Sequence, residues 1–150
     1  MEELLTKLYE KYNIEKYYCG WFDYGDLDSR MVYEYYKTKE EFNEACEYDI
    51  DGYKEPEMKY PPLLDETVIK IYEYLLTQDK FEMGSCIVED NYRYFISSSR
   101  LESSGAGSSF KEAFINLLID LTENTYDLFP KINKEQKDKI KELLEGANVQ

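Results

Sequence analysis

The sequence predicts an α+β fold in which helices flank two antiparallel β-hairpins expected to share one sheet. Three observations carry this. Apolar residues recur at the helical period in five stretches, aromatic and apolar runs come in two pairs around turn-forming residues, and the order helix, hairpin, helix occurs twice. The length of 150 residues suits one domain, 1–150, able to bury roughly two thirds of its unfolded surface.

In the first helix Leu4, Leu5, Leu8 and Tyr12 share one face, and Glu2 and Glu3 occupy the first turn, where the helix dipole favours anions. The stretches Tyr17 to Phe22 and Met31 to Tyr36 have strand composition, and Asp23-Tyr24-Gly25-Asp26 supplies a turn between them. Thr38 and Glu41 then form a capping box. The helix they open buries Phe42, Ala45 and Cys46 and presents Glu40, Glu44 and Glu47. From Asp49 to Pro62 the charges, Gly52, Pro56, Pro61 and Pro62 predict a long loop.

Asp65 is placed to cap a helix with Val68, Ile69, Tyr72, Leu75 and Leu76 on its apolar face. Phe81 to Val88 and Tyr92 to Leu101 follow as a second hairpin around Glu89-Asp90-Asn91. The stretch Ser103-Ser104-Gly105-Ala106-Gly107-Ser108-Ser109 predicts a flexible connection. It ends in a capping box, Ser109 with Glu112, that opens a helix striped with Phe110, Ala113, Phe114, Leu117, Leu118 and Leu121, expected at the centre of the core. After Pro130, Asn133 starts a last helix carrying Ile140, Leu143 and Leu144 and ended by Gly146. Residues 131–150 are lysine-rich and slightly positive, through Lys131, Lys134, Lys137, Lys139 and Lys141.

Composition narrows the function classes. With 32 acids against 18 bases the formal net charge is -14, and such a surface repels phosphate backbones, so direct nucleic-acid binding is not expected. The same field accelerates encounters with basic proteins. Cys19, Cys46 and Cys86 are odd in number and far apart, which fits free, mostly buried thiols. The start Met-Glu-Glu-Leu-Leu lacks the pattern of a signal peptide and no run approaches 18 apolar residues, so a cytoplasmic protein without membrane contact is expected.

With no histidine, the triads and proton shuttles built on imidazole are excluded and most zinc sites lose a ligand. Carboxylate pairs could still do acid–base work, but no pair stands out among so many acids. Asp23, Asp26 and Asp28, or Asp49 and Asp51 before Gly52, could gather a hard cation, although neither set has calcium-loop spacing and a solvated acidic turn is the plainer reading. The Ser/Gly stretch 103–109 lacks the lysine of a phosphate-binding loop. The expectation is a protein that is not an enzyme, with no cofactor and no metal.

What remains is acid interleaved with tyrosine. Glu40, Glu41, Glu44, Glu47, Asp49, Asp51, Glu55 and Glu57 face one base, Lys54, so half of the net charge lies in this segment, with Tyr48, Tyr53 and Tyr60 in or beside it. Carboxylates along a helix and loop can take the places of phosphates in a basic groove, and tyrosine rings offer flat stacking surfaces in place of bases. Glu40, Glu41, Glu44, Glu47, Tyr48, Asp49, Asp51, Tyr53, Glu55 and Glu57 are therefore the candidate partner-binding residues. The plainer reading is a solvated helix face and a charged loop.

From Tyr60 to Glu123, Asp65 opens one helix and Ser109-Phe110-Lys111-Glu112-Ala113 opens another, with two strands between them. In this the chain resembles the small phage-encoded ABA-sandwich domains. The resemblance implies a phage or mobile-element setting, where small acidic proteins of similar composition include anti-CRISPR and other anti-defence inhibitors; bacterial immunity proteins are also similar. The function it implies is inhibition, by nucleic-acid mimicry, of a basic host protein such as a nuclease or another nucleic-acid-binding defence protein. Two alternatives stand beside it: a small-ligand or nucleotide-binding domain using the 103–109 stretch, and a structural or assembly protein. The lysine-rich helix leaves a homo-oligomer open.

Overall fold

The computed structural model describes residues 1–25, 30–125 and 129–146. Their elements run α1 (Glu2–Lys11), β1 (Tyr17–Phe22), β2 (Val32–Tyr36), α2 (Lys39–Cys46), β3 (Glu57–Lys59), α3 (Asp65–Gln78), β4 (Glu82–Val88), β5 (Asn91–Ser98), β6 (Ser103–Gly107), α4 (Phe110–Asp120), β7 (Asn124–Thr125), β8 (Phe129–Pro130) and α5 (Lys134–Gly146). The chain forms two compact units, one from Met1–Ile14 together with residues 63–146, the other from Glu15–Pro62. The α+β class holds, but the hairpins do not share one sheet. Each has its own three-stranded antiparallel sheet, β2-β1-β3 and β4-β5-β6, because each recruits a third strand from a stretch whose composition predicts loop.

In the larger unit α4 is buried on almost every side, through Ala113, Phe114, Ile115, Leu117, Leu118 and Ile119. It lies across β5 and β6, and α1 packs on it through Leu8 and Tyr9, while the Tyr12 hydroxyl donates to the Leu118 carbonyl at 2.6 Å. Burial pushes that phenol well above its ordinary pKa. The Ser/Gly stretch is no flexible connection: Ser103–Gly107 is β6, in register with β5 from Tyr94↔Gly107 to Ser98↔Ser103. Its glycines answer to packing. A Cβ on Gly105 would stand 2.1 Å from the Ala113 carbonyl oxygen and 2.3 Å from the Leu117 nitrogen, so α4 can lie this close only over a bare backbone.

Capping follows the sequence at α4, where Ser109 Oγ accepts from the Glu112 amide at 3.2 Å, and at α5, where Asn133 and Gln136 bond reciprocally at 2.8 and 2.9 Å. At α3 it does not. Leu64 is the N-cap, and Asp65, inside the helix, pairs with Lys111 at 2.8 Å. The buried face of α3 is also turned from the expected one: Thr67, Val68, Ile71 and Leu75 are inside, while Ile69 and Leu76 are exposed. Between β4 and β5 the two turn residues Glu89 and Asp90 both have positive φ, 50° and 66°, as a two-residue type I′ turn requires.

In the smaller unit β1 is the central strand, with Cys19 opposite Tyr35 on one side and Glu57 on the other. Phe22, Phe42 and Cys46 form its buried cluster, bordered by Tyr18, Tyr24, Tyr36 and Ala45. Phe22 meets Phe42 edge to face with centroids 5.2 Å apart, and Gly20 leaves room for the Phe42 ring, which a Cβ would approach to 3.3 Å. Glu34 is buried beside this cluster and accepts hydroxyls from Tyr24, at 2.6 Å, and from Tyr36. Burial and the bond to Glu34 push the Tyr36 phenol up to about 12.

Cys19 and Cys46 are buried, whereas Cys86, expected to be mostly buried, is exposed on β4; all three are free thiols. α4 contacts β5 and β6 but not β4, so period-two alternation there does not translate into burial. Among the described residues no helix is long and apolar enough to cross a membrane.

Candidate functional site

Nine of the ten candidate residues are exposed, and the segment that carries most of them is anchored from beneath. Thr38 Oγ accepts from the Glu41 amide at 3.1 Å and starts α2, whose Phe42 and Cys46 sit in the aromatic cluster. Residues 40, 44 and 47 then fall on the opposite face. Glu40 and Glu41 suit the first turn, but Glu44 and Glu47 lie at the C-terminal end with no base in the last turn, where the helix dipole disfavours them. These acids do not serve the stability of the helix.

The loop after α2 is ordered around Asp49, which is buried rather than presented to a partner. Its Oδ1 accepts from the amides of Asp23 at 3.1 Å and Asp51 at 3.5 Å, and its Oδ2 pairs with Lys54 Nζ at 2.5 Å. Burial opposes ionisation of Asp49, but Lys54 and the two amides outweigh it and hold the carboxyl below its ordinary pKa. The loop is further tied by Ile50 N donating to Asp23 O at 2.8 Å and by Gly52, whose φ of +75° suits a residue without Cβ.

Lys54 is the residue that sequence reasoning placed least well. It is the one base among Glu40–Glu57, and it turns inward: besides pairing with Asp49 it donates to the Trp21 carbonyl and lies 4.9 Å from the centre of the Phe22 ring. The surface it leaves is uncompensated. Among the described residues Glu40, Glu41, Glu44, Glu47, Asp51 and Glu55 have no ion-pair partner, and Tyr48, Ile50 and Tyr53 stand exposed among them at 74%, 65% and 60%.

Glu57 is not part of this surface. It pairs across β1 with Cys19, on the sheet face opposite Phe22 and α2, where it binds Lys59 at 2.9 Å and accepts the Tyr33 hydroxyl at 3.3 Å. Lys59 lowers its pKa. On the same face Trp21, half exposed, meets Tyr33 edge to face at 5.1 Å and Tyr33 meets Tyr35 at 5.3 Å. This aromatic row was legible only as strand composition.

No family model, curated protein or solved structure matches the chain. The site therefore has to be read from its own geometry. Of the alternative sites, the 103–109 stretch offers no anion cradle: five of its residues form β6, and the Glu112 carboxylate takes the Ser108 amide at 3.4 Å and hydroxyl at 2.7 Å, putting negative charge where a phosphate would sit. Asp23 spends its Oδ1 on the Gly25 amide at 3.0 Å, and Asp26 and Asp28 lie outside the described residues. No group of three metal-ligating side chains occurs among the described residues. A cleft between α3 and α5, about 500 Å³, is lined by Tyr74, Lys134, Glu135, Asp138, Lys139 and Glu142, charges of both signs on open helix faces.

Proposed function

We propose that this chain is a non-enzymatic binding protein that docks the acidic surface of α2 and its following loop into the basic nucleic-acid groove of a partner protein and keeps nucleic acid out. The observation that carries this reading is the inward turn of Lys54, which leaves six exposed carboxylates uncompensated around exposed Tyr48, Ile50 and Tyr53. Unpaired carboxylates meet arginine and lysine as phosphates do, with charge-assisted bonds that strengthen on desolvation. The exposed rings add apolar area of the kind that dominates interfaces. The bonds of Asp49 to the Asp23 and Asp51 amides and to Lys54 fix the loop backbone in advance, which lowers the ordering cost on binding. A nuclease or other nucleic-acid-binding protein of a defence system is the partner class that this chemistry and the phage-like resemblance together favour.

The test is capture of basic nucleic-acid-binding proteins from a host lysate at low and high salt, followed by binding of the isolated partner. Glu40→Lys, Glu44→Lys and Glu47→Lys together reverse one helix face and spare Phe42 and Cys46, so the fold should survive while binding collapses. Added salt weakens the wild-type complex, and the partner's DNA or RNA competes with it. Undiminished binding by the triple variant, or simultaneous binding of nucleic acid and this protein, would refute mimicry through this surface.

A further inference from the structure

The two edges of the β4-β5-β6 sheet are treated differently. Because β4 and β5 join through a two-residue turn, Val88 and Asn91 form a hydrogen-bonded pair, and alternation makes Cys86↔Arg93 and Gly84↔Phe95 bonded pairs as well. It follows that β5 turns the backbone of Tyr94, Ile96 and Ser98 towards β6, and β6 turns that of Ser104 and Ala106 outward. Two of those four outward groups are capped by α4: Asn116 Nδ2 donates to the Ala106 carbonyl at 2.8 Å, and Asp120 Oδ2 accepts from the Ser104 amide at 3.1 Å.

At the other edge the same alternation turns the amides and carbonyls of Met83, Ser85 and Ile87 outward from β4, and no described residue bonds to them. Nothing in the strand protects them. From Met83 to Val88 there is no charge and no proline, the devices that natural edge strands use against pairing. Met83, Ile87 and Val88, with Tyr92 across the ladder from Ile87, are 51 to 64% exposed.

We propose that β4 pairs with β4 of a second copy of this chain, antiparallel about a two-fold axis at Ser85, giving a continuous six-stranded sheet. In this register Ser85 faces its own counterpart and Met83 faces Ile87, and every one of these residues turns its backbone outward, so the ladder gains six hydrogen bonds with none frustrated. Met83 and Ile87 of both copies lie on one face and cover each other. The charges agree. Gly84 meets Cys86 and Glu82 meets Val88, so no like charges are opposed, and just beyond the strand ends Lys80 of one copy approaches Asp90 of the other. From Lys80 to Ser98 the chain holds three acids and two bases, so the edge escapes most of the repulsion expected from a net charge of -14. This pairing is independent of the acidic surface, which belongs to the other unit.

Molar mass measured by sedimentation or light scattering over a range of concentrations tests it on the full chain. Wild type should rise from 17.9 kDa to twice that value as concentration increases, while the amides of Met83, Ser85 and Ile87 exchange more slowly. Ile87→Lys, at a position 64% exposed, should stay monomeric with unchanged circular dichroism and melting temperature. Ser85→Cys in a Cys86→Ser background should form a disulfide-linked dimer under mild oxidation, since residues facing each other in a bonded pair lie about 5.5 Å apart between Cα atoms. A wild type that is monomeric at every concentration, a dimer indifferent to Ile87→Lys, or cross-linking at native Cys86 and not at Ser85→Cys would each overturn the proposal.

Discussion

Gly105→Ala puts the packing of α4 on β6 to a direct test. The added methyl would lie 2.1 Å from a carbonyl oxygen and 2.3 Å from an amide nitrogen of α4, atoms that move only if the helix moves. Overpacking costs about 1–3 kcal/mol where side chains can yield; against helix backbone the upper end applies, roughly 3 kcal/mol. For a chain of this length that lowers the melting temperature by roughly 6–12 °C. Gly84→Ala is the control. Its Cβ would also come close, 2.3 Å, but to the tip of the half-exposed Phe95 ring, which can swing away, so a cost below about 1 kcal/mol is expected, part of it offset by the conformational entropy that alanine saves. Urea and thermal unfolding followed by circular dichroism compare the two. If Gly105→Ala stays within about 0.5 kcal/mol of wild type, or Gly84→Ala costs more, then α4 does not lie on β6 as described.

Phe114→Ala and Leu118→Ala, both at fully buried positions, should each cost about 2–5 kcal/mol in the same experiment. Towards thiol reagents Cys86 should react fast and Cys19 slowly, since burial pushes the Cys19 thiol up to about 11; equal rates would contradict the burial pattern. The Asp49 carboxyl titrates lower in the fold than in the unfolded chain, so its stabilisation is complete above about pH 4 and fades as pH falls through its folded value. Asp49→Ala should accordingly flatten the acid limb of stability against pH, read from urea midpoints. Tyr36 behaves in the opposite sense: with its folded pKa raised to about 12, its contribution is full below about pH 10 and is lost above it, so phenolate absorbance should lag in the folded protein and Tyr36→Phe should remove part of the alkaline destabilisation.

The capped helices were legible because their signals are local: Thr38 with Glu41, Ser109 with Glu112 and Asn133 with Gln136 are side chains bonding to a backbone three residues away. What escaped depends on residues distant in sequence. Glu57–Lys59 has no buried position and follows Pro56, so nothing in its own composition marks a strand; the free edge of β1 makes it one. Ser103–Gly107 reads as linker because its glycines are selected by a helix that comes later in the chain. The face of α3 turned away from expectation because Ile69 and Leu76 have the right period yet stand exposed, while Thr67 and Ile71 are buried. In the candidate site the exposed acids of α2 followed from helical spacing, whereas the burial of Asp49 and the inward turn of Lys54 arise from tertiary contacts with Asp23, Trp21 and Phe22.

The smaller unit is inserted between α1 and the rest of the larger one, and this orders events during synthesis. As the chain leaves the ribosome, Glu15–Pro62 has its whole sheet, its helix and its aromatic cluster once residue 62 has emerged. By contrast α1, which precedes that unit in the chain, has to wait for α4: Tyr12 meets its acceptor Leu118 only 106 residues later. During that interval Leu8, Tyr9 and Tyr12 lack the α4 surface on which α1 packs, and the nascent chain carries an unfinished apolar face of the kind that chaperones hold.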